Sequence, residues 1–175
     1  MGLDLSTKTG VAVVDKGLKL VHGAEYEFEG ESGFTRCGLL AQTVIDLVGE
    51  HSPSLVVIEA PITSAKFNNY AQTEIAVAVR FALWQADIPY VDVSPSSLKK
   101  FVTGAGNCNK NLVMMLVYKQ WGIECPTDNI ADAVGLAMWG HCAAGVDFGP
   151  AKNKAVAEAT KKFSGQAVQL IAQAS

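Results

Sequence analysis

Gly2-Leu3-Asp4-Leu5-Ser6-Thr7, running through a glycine-containing turn into Val11-Ala12-Val13-Val14, is the stretch that decides the fold of this 175-residue chain. An apolar run this short, bounded by a turn, reads as a buried strand, yet it carries a carboxylate in its middle. A buried ionised carboxylate is costly unless something positive neutralises it. The same problem recurs at Glu59, which closes Leu55-Val56-Val57-Ile58, and at Asp128 and Asp132, which open a helix otherwise made of Ala, Val, Leu and Met. No Arg or Lys stands at a matching spacing in the sequence. A divalent metal ion is the simplest partner, and it points to phosphodiester chemistry.

Working outward, Gly10–Val14 and Leu18–Phe28 read as strands joined by the tight turn Asp15-Lys16-Gly17, with Asp4 assigned to the first of them. Phe34–Val48 spaces Leu39, Leu40, Val44, Leu47 and Val48 as a helix, and the break Ser52-Pro53-Ser54 leads into the strand Leu55–Glu59. That strand is apolar throughout, as a central strand covered on both faces would be. The spacing then predicts a helix over Ala71–Ala86, a strand over Pro89–Val93 and a short helix over Pro95–Val102 with a Ser94-Pro95 start. Further helices are expected from Asn109 or Asn111 to Trp121, over Asp128–Ala143, and over Lys152–Ala174 as one Ala-rich element. The fold class is therefore α/β, a mixed sheet flanked by helices. Residues 1–145 form the main domain and 146–175 a C-terminal helical extension of it, set off by Gly145–Pro150.

Sheet pairing that brings Glu59 beside Asp4 places two hard oxygen ligands one strand spacing apart, about 5 Å. The plain alternative for Glu59 is a strand-end residue in water. In Thr127-Asp128-Asn129-Ile130-Ala131-Asp132-Ala133, the two aspartates lie one helical turn apart on one face. Asp128 also suits a helix start, whereas Asp132 falls inside the helix, where Asp is a poor former and no base stands three or four positions away. Four such carboxylates suffice for two Mg²⁺ ions about 3.5 to 4 Å apart, one activating water and one stabilising the leaving oxygen.

An aspartate on a first strand followed by a glycine-containing turn is shared by ribonuclease H-like nucleases, where it holds metal, and actin-like sugar kinases, where the turn cradles phosphate. The kinase architecture needs two such domains, more than 175 residues hold.

The series Gly-Leu-Asp-Leu-Ser, Val-Val-Ile-Glu-Ala-Pro, Lys-Lys-Phe-Val-Thr-Gly-Ala-Gly-Asn-Cys-Asn-Lys and Asp-Asn-Ile-Ala-Asp-Ala, in order from Gly2 to about His141, resembles the RuvC family of Holliday junction resolvases. The resemblance implies a ribonuclease H-like fold, a homodimer, and Mg²⁺-dependent nicking of four-way or related branched DNA, with Mn²⁺ able to substitute and two ions in each active site. It maps metal ligands onto Asp4, Glu59 and Asp132, and the remaining acid onto the Asp128/Asn129 region. Family members commonly place an acid or His three residues before the last Asp; this chain has Asn129 there and Asp128 one step earlier, so either position is open. The family's catalytic lysine matches Lys110 and its DNA-contacting lysine Lys99, with Lys100 beside it; an exposed helix-end lysine is the alternative for each. An aromatic that wedges into the junction has its nearest counterparts at Ile62, Phe67 and Tyr70. Phe67 is a candidate for base stacking and equally for the core, and Lys66 is a candidate phosphate contact.

The net charge of −3 runs counter to the basic surface that nucleic acid normally requires. Its distribution does not: residues 93–123 hold four lysines and no acid, while residues 1–60 hold nine acids against four bases. An acidic centre beside a basic track follows, or else a solvated lysine face. Cys37, Cys108, Cys125 and Cys142 lack metal-ligand or redox spacing and read as reduced, packed thiols. No long apolar run or export signal is visible, so no membrane contact and a cytoplasmic location are expected. The helix Ala71–Ala86 is apolar around most of its circumference, which suits either deep core or the dimer seam the resemblance implies. None of His22, His51 and His141 is given a catalytic role; His141 is the one expected near the centre. The leading function is a metal-dependent, structure-selective endonuclease. The alternative from another class is a non-catalytic ribonuclease H-like scaffold that binds branched nucleic acid, and a kinase-class fragment is more remote.

Overall fold

A computed structural model describes residues 1–61, 70–106 and 110–174, without the side chains of Lys110 and Asn111. Five strands form one sheet in the order β3-β2-β1-β4-β5. They are β1 (Gly2–Asp4), β2 (Lys8–Val14), β3 (Leu20–Glu27), β4 (Val56–Glu59) and β5 (Tyr90–Val93). The β2 strand is antiparallel to both of its neighbours, β1 and β3, whereas β1, β4 and β5 run parallel, so the sheet is mixed as expected.

Asp4 does not share a strand with Val11–Val14. It ends a three-residue strand of its own, because a hydroxyl-locked turn follows it: Thr9 Oγ1 donates to the Ser6 carbonyl at 2.7 Å and accepts from the Ser6 amide at 3.1 Å. The small hydroxyls of this turn are thus used locally. The β2/β3 turn is held by Asp15, whose Oδ1 accepts from the amides of Gly17 and Lys19 at 2.8 and 2.9 Å.

Alternation along the strands splits the core in two. Leu3, Val11, Val13, Val56 and Ile58 face α1 (Gly33–His51) and α2 (Tyr70–Gln85). Ala12, Val14, Val57, Val91 and Val93 face the other layer: α3 (Pro95–Thr103), α4 (Lys110–Trp121), α5 (Asp128–Ala143), α6 (Pro150–Thr160) and α7 (Gly165–Gln173). The α5 helix is the axis of that layer, with eleven of its residues buried. It lies close to the sheet because Gly2 and Gly10 stand beneath it; a Cβ at either would overlap the carbonyl of Ala133 or Asn129.

Residues 152–174 do not form one helix. The chain leaves the helix after Thr160 and restarts at Gly165, where the Ser164 side chain accepts from the Ala167 amide. The break lets α6 pack on α3 and α5 while α7 turns to β5. Lys152 on α6 donates to the Phe101 carbonyl at 2.8 Å, and its ammonium lies 5.1 Å from the centre of the Phe101 ring. Segment 146–175 is therefore joined to the body by packing as well as by chain.

The α2 helix, apolar nearly all round in sequence, has two faces. Ile75, Val79 and Leu83 are buried, whereas Tyr70, Val77, Phe81 and Trp84 are exposed by 75%, 60%, 55% and 66%. The rings of Phe81 and Trp84 stack at 5.8 Å. Cys37, Cys125 and Cys142 are buried free thiols, and burial raises the last two to about 11. Cys108 lies outside the described residues. Among the described residues no helix is long and apolar enough to cross a membrane.

Candidate active site

Parallel pairing of β1 with β4 sets Gly2 opposite Val57 and Leu3 opposite Ile58, so the next step brings Asp4 beside Glu59. Both point to the α5 face, by the same alternation that sends Val57 there and Leu3 to the opposite face. Asp4 is buried and Glu59 partly so. The two carboxyls hydrogen-bond to each other, and Glu59 is pushed up to about 9, first by burial, then by the Asp4 charge and that hydrogen bond, and then by Asp132. A proton kept on one of two adjoining carboxyls relieves the repulsion that a cation would otherwise balance.

The charge of Asp132 on α5 acts on Glu59 in the same direction, and that of Lys99 on α3 pulls the Glu59 carboxyl the other way. No base matched these acids in sequence spacing; the fold supplies one from forty residues on. Asp128 sits in the first turn of α5, after the Thr127 cap whose side chain accepts from the Ile130 amide. It lies one turn, about 6 Å, from Asp132 along the axis. Asn129 is turned to the sheet, its Nδ2 donating to Glu25 Oε1 at 2.7 Å. Among the described residues no three His, Cys, Asp or Glu side chains stand close enough together, as they are, to hold one ion. The donor chemistry nonetheless fits a hard divalent cation: carboxylate oxygens on a strand pair, a third acid from the facing helix, and a proton for the ion to displace.

The other expected residues distribute as follows. Lys100 is exposed and paired with Glu158 of α6, Nζ to Oε2 at 2.6 Å. Lys110 opens α4, and its side chain lies outside the described residues, as do Ile62, Lys66 and Phe67 entirely. His141 is not near the centre. It stands nine residues beyond Asp132, about 13 Å along α5, and its Nε2 meets the Val14 carbonyl at 3.2 Å at the opposite end of the sheet. Glu25 was not anticipated at all. The β2/β3 register places it opposite Gly10, which is itself opposite Asp4.

A sheet of this order, with paired carboxyls on β1 and β4 and an aspartate on α5 whose charge acts on them, has a counterpart among known proteins. The family model described as crossover junction endodeoxyribonuclease RuvC matches residues 1–140. The chain belongs to the RuvC family. Among curated relatives, the RuvC of Gloeobacter violaceus is 29% identical over 107 residues, covering 60% of this chain and 62% of that protein, a little under two thirds of its length. The RuvC of Synechococcus sp. strain CC9311 is 23% identical, with 78% of this chain and 96% of that protein covered. Two solved structures share the ribonuclease H-like fold: Thermus thermophilus RuvC (TM-score 0.64, 24% identity, 78% of this chain and 89% of that one) and T. thermophilus RuvC in complex with a Holliday junction substrate (TM-score 0.66, 24% identity, 78% and 88%). The RuvC match ends before α6, so the helices that brace α3 and β5 lie beyond it.

Proposed function

We propose that this chain is a homodimeric, structure-selective endonuclease that uses Mg²⁺, or Mn²⁺ in its place, to nick four-way or related branched DNA in the cytoplasm. The observation that carries this reading is the hydrogen-bonded Asp4–Glu59 pair facing Asp132 and Lys99. Asp4, Glu59 and Asp132, with Asp128 one turn away, would hold two ions. Bound there, divalent cations supply an activated water and charge neutralisation at the leaving oxygen of an in-line displacement. Asp4 and Glu59 are held by a parallel strand pair, so their oxygens are fixed before substrate arrives. Asp128 is favoured over Asn129 as the fourth ligand, because the Asn129 amide is already engaged by Glu25. Lys99 limits the repulsion among the acids and stands ready for a phosphate. Lys110 stabilises charge near the scissile group, and Lys66, Phe67 and Lys100 contact DNA.

The exposed Tyr70, Val77, Phe81 and Trp84 of α2 serve as the dimer seam, since four large apolar side chains on one exposed helix face are otherwise poorly accommodated in water. Residues 1–145 form the nuclease body and 146–175 a brace on it. The deciding assay is cleavage of a synthetic four-way junction beside linear duplex, with Mg²⁺ and with chelator, for the wild type and Asp132→Asn. Junction-selective nicking lost with chelator and in the variant supports the reading. Equal nicking by both proteins removes the metal assignment, and binding without nicking makes the chain a scaffold.

A further inference from the structure

The row of the sheet that holds Glu59 and Asp4 continues through β2 into β3. Asp4 stands opposite Gly10, and Gly10 opposite Glu25, so Glu25 shares the α5 face two strands away, roughly 10 Å by strand spacing. Gly10 leaves a gap between the two acids, and the first turn of α5 settles into it with the Asn129 backbone against the glycine. Across that gap, Glu25 Oε1 accepts from Asn129 Nδ2 at 2.7 Å. The other oxygen of Glu25 faces Lys8 Nζ at 3.9 Å, and the same ammonium is 3.5 Å from Glu27. The Glu25 side chain is only 15% exposed, so its orientation is set by these partners.

Asn129 adjoins Asp128 and precedes Asp132 by three residues. Successive residues on a helix are about 100° apart around the axis, so a tether on Asn129 fixes the rotation that aims both aspartates. The Thr127 cap holds the same turn locally, its side chain accepting from the Ile130 amide of its own helix. Beside the packing of the Asn129 backbone on Gly10, the carboxylate–amide bond is a directional side-chain contact from this turn to the sheet carrying Asp4, and an ionised acceptor strengthens it.

Resting on the function proposed above, we propose that Glu25 is a positioning residue of the carboxylate centre: its hydrogen bond to Asn129 fixes the first turn of α5 and so directs Asp128 and Asp132 toward a divalent cation shared with Asp4 and Glu59. Glu25 touches neither the cation nor the DNA. It acts as outer-shell partners of metal sites do, whose loss typically costs about 10- to 100-fold in metal affinity or activity.

The test uses the full chain as wild type, Glu25→Ala, Glu25→Gln, Asn129→Ala, the Glu25→Ala/Asn129→Ala double variant and Asp132→Asn. Two readouts are taken: the Mg²⁺ concentration at the midpoint of metal-induced thermal stabilisation without DNA, and the Mg²⁺ concentration for half-maximal junction nicking. Glu25→Ala should raise both by about tenfold or more. Glu25→Gln, whose carbonyl oxygen still accepts from Asn129, should stay within about threefold of wild type. Asn129→Ala should match Glu25→Ala, and the double variant should lose nothing further, because both sever one link. Wild-type midpoints in Glu25→Ala overturn the proposal, as does a Glu25→Gln variant that falls as far as Glu25→Ala. If Glu25→Ala does not fold, Asn129→Ala decides alone by the same criterion. Asp132→Asn separates the two layers of inference. Should it keep the metal response, the metal reading fails and Glu25 loses its role; should it lose the response while Glu25→Ala and Asn129→Ala remain normal, only the positioning role falls.

Discussion

Glu59 and Asp4 share one hydrogen bond across the parallel β1/β4 pair, and Asp132 on α5 stands near enough for its charge to reach Glu59. Glu59 holds its proton up to about 9 in the folded protein without a bound cation's charge beside it, against an ordinary 4.5. The folded state thus keeps a proton that the unfolded chain releases. That contribution to stability is fully present below the unfolded value and is lost as pH rises through the folded one. Thermal melts in chelator should show declining stability across this window, and the gain on adding Mg²⁺ should grow over the same range. Glu59→Gln, which cannot ionise, should flatten both trends. A Mg²⁺ gain that is constant with pH would contradict the shared-proton arrangement.

Asp4→Asn and Asp132→Asn should each lower Mg²⁺-dependent junction nicking by about 100-fold or more, beyond the upper end of what outer-shell partners contribute. Junction binding in chelator, measured by mobility shift, should persist in both. Lys99→Ala should instead weaken junction binding, because it removes a cation beside the acids.

Phe81→Glu and Trp84→Glu replace exposed aromatic rings on α2. If α2 is the dimer seam proposed above, each should shift the protein toward monomer in sedimentation while leaving the thermal midpoint of the fold nearly unchanged. A large loss of stability would instead assign these rings to the core.

Gly10→Ala forces a methyl group into the Asn129 carbonyl. Overpacking of this kind costs about 1 to 3 kcal/mol, read as a lower denaturation midpoint. The variant should also raise the Mg²⁺ requirement, since the displaced turn carries Asp128.

Lys152→Met removes the ammonium that donates to the Phe101 carbonyl near the end of α3. Hydrogen bonds to charged groups contribute about 1.5 to 3 kcal/mol, and chemical denaturation should report a loss within that range.

Much of this was legible in the chain itself, and the exceptions have physical causes. Asp4 and Glu59 were readable as neighbours because an all-apolar strand must lie centrally, and Asp132 because a mid-helix Asp without a local base needs a distant partner. Glu25 was hidden by a register shift between Val13 and Val14: counting back from the Asp15 turn without it places Ala24, not Glu25, opposite Gly10, and a one-residue slip reverses the face. The faces of α2 were undecidable because it is apolar all round, so only packing distinguishes Val79 from Phe81. The break between α6 and α7 did leave a local mark in Ser164-Gly165, masked by the surrounding alanines. Lys99 and Glu59 are joined only by the turn of the chain from β5 into α3, which no spacing rule encodes.

The arrangement of α7 against β5 has one more consequence. β5 is the outermost parallel strand of the sheet, and an open strand of that kind is a template on which other chains polymerise. A short amphipathic helix packed against that strand covers part of it, so trimming the chain after Thr160 should yield a protein that folds and then slowly precipitates.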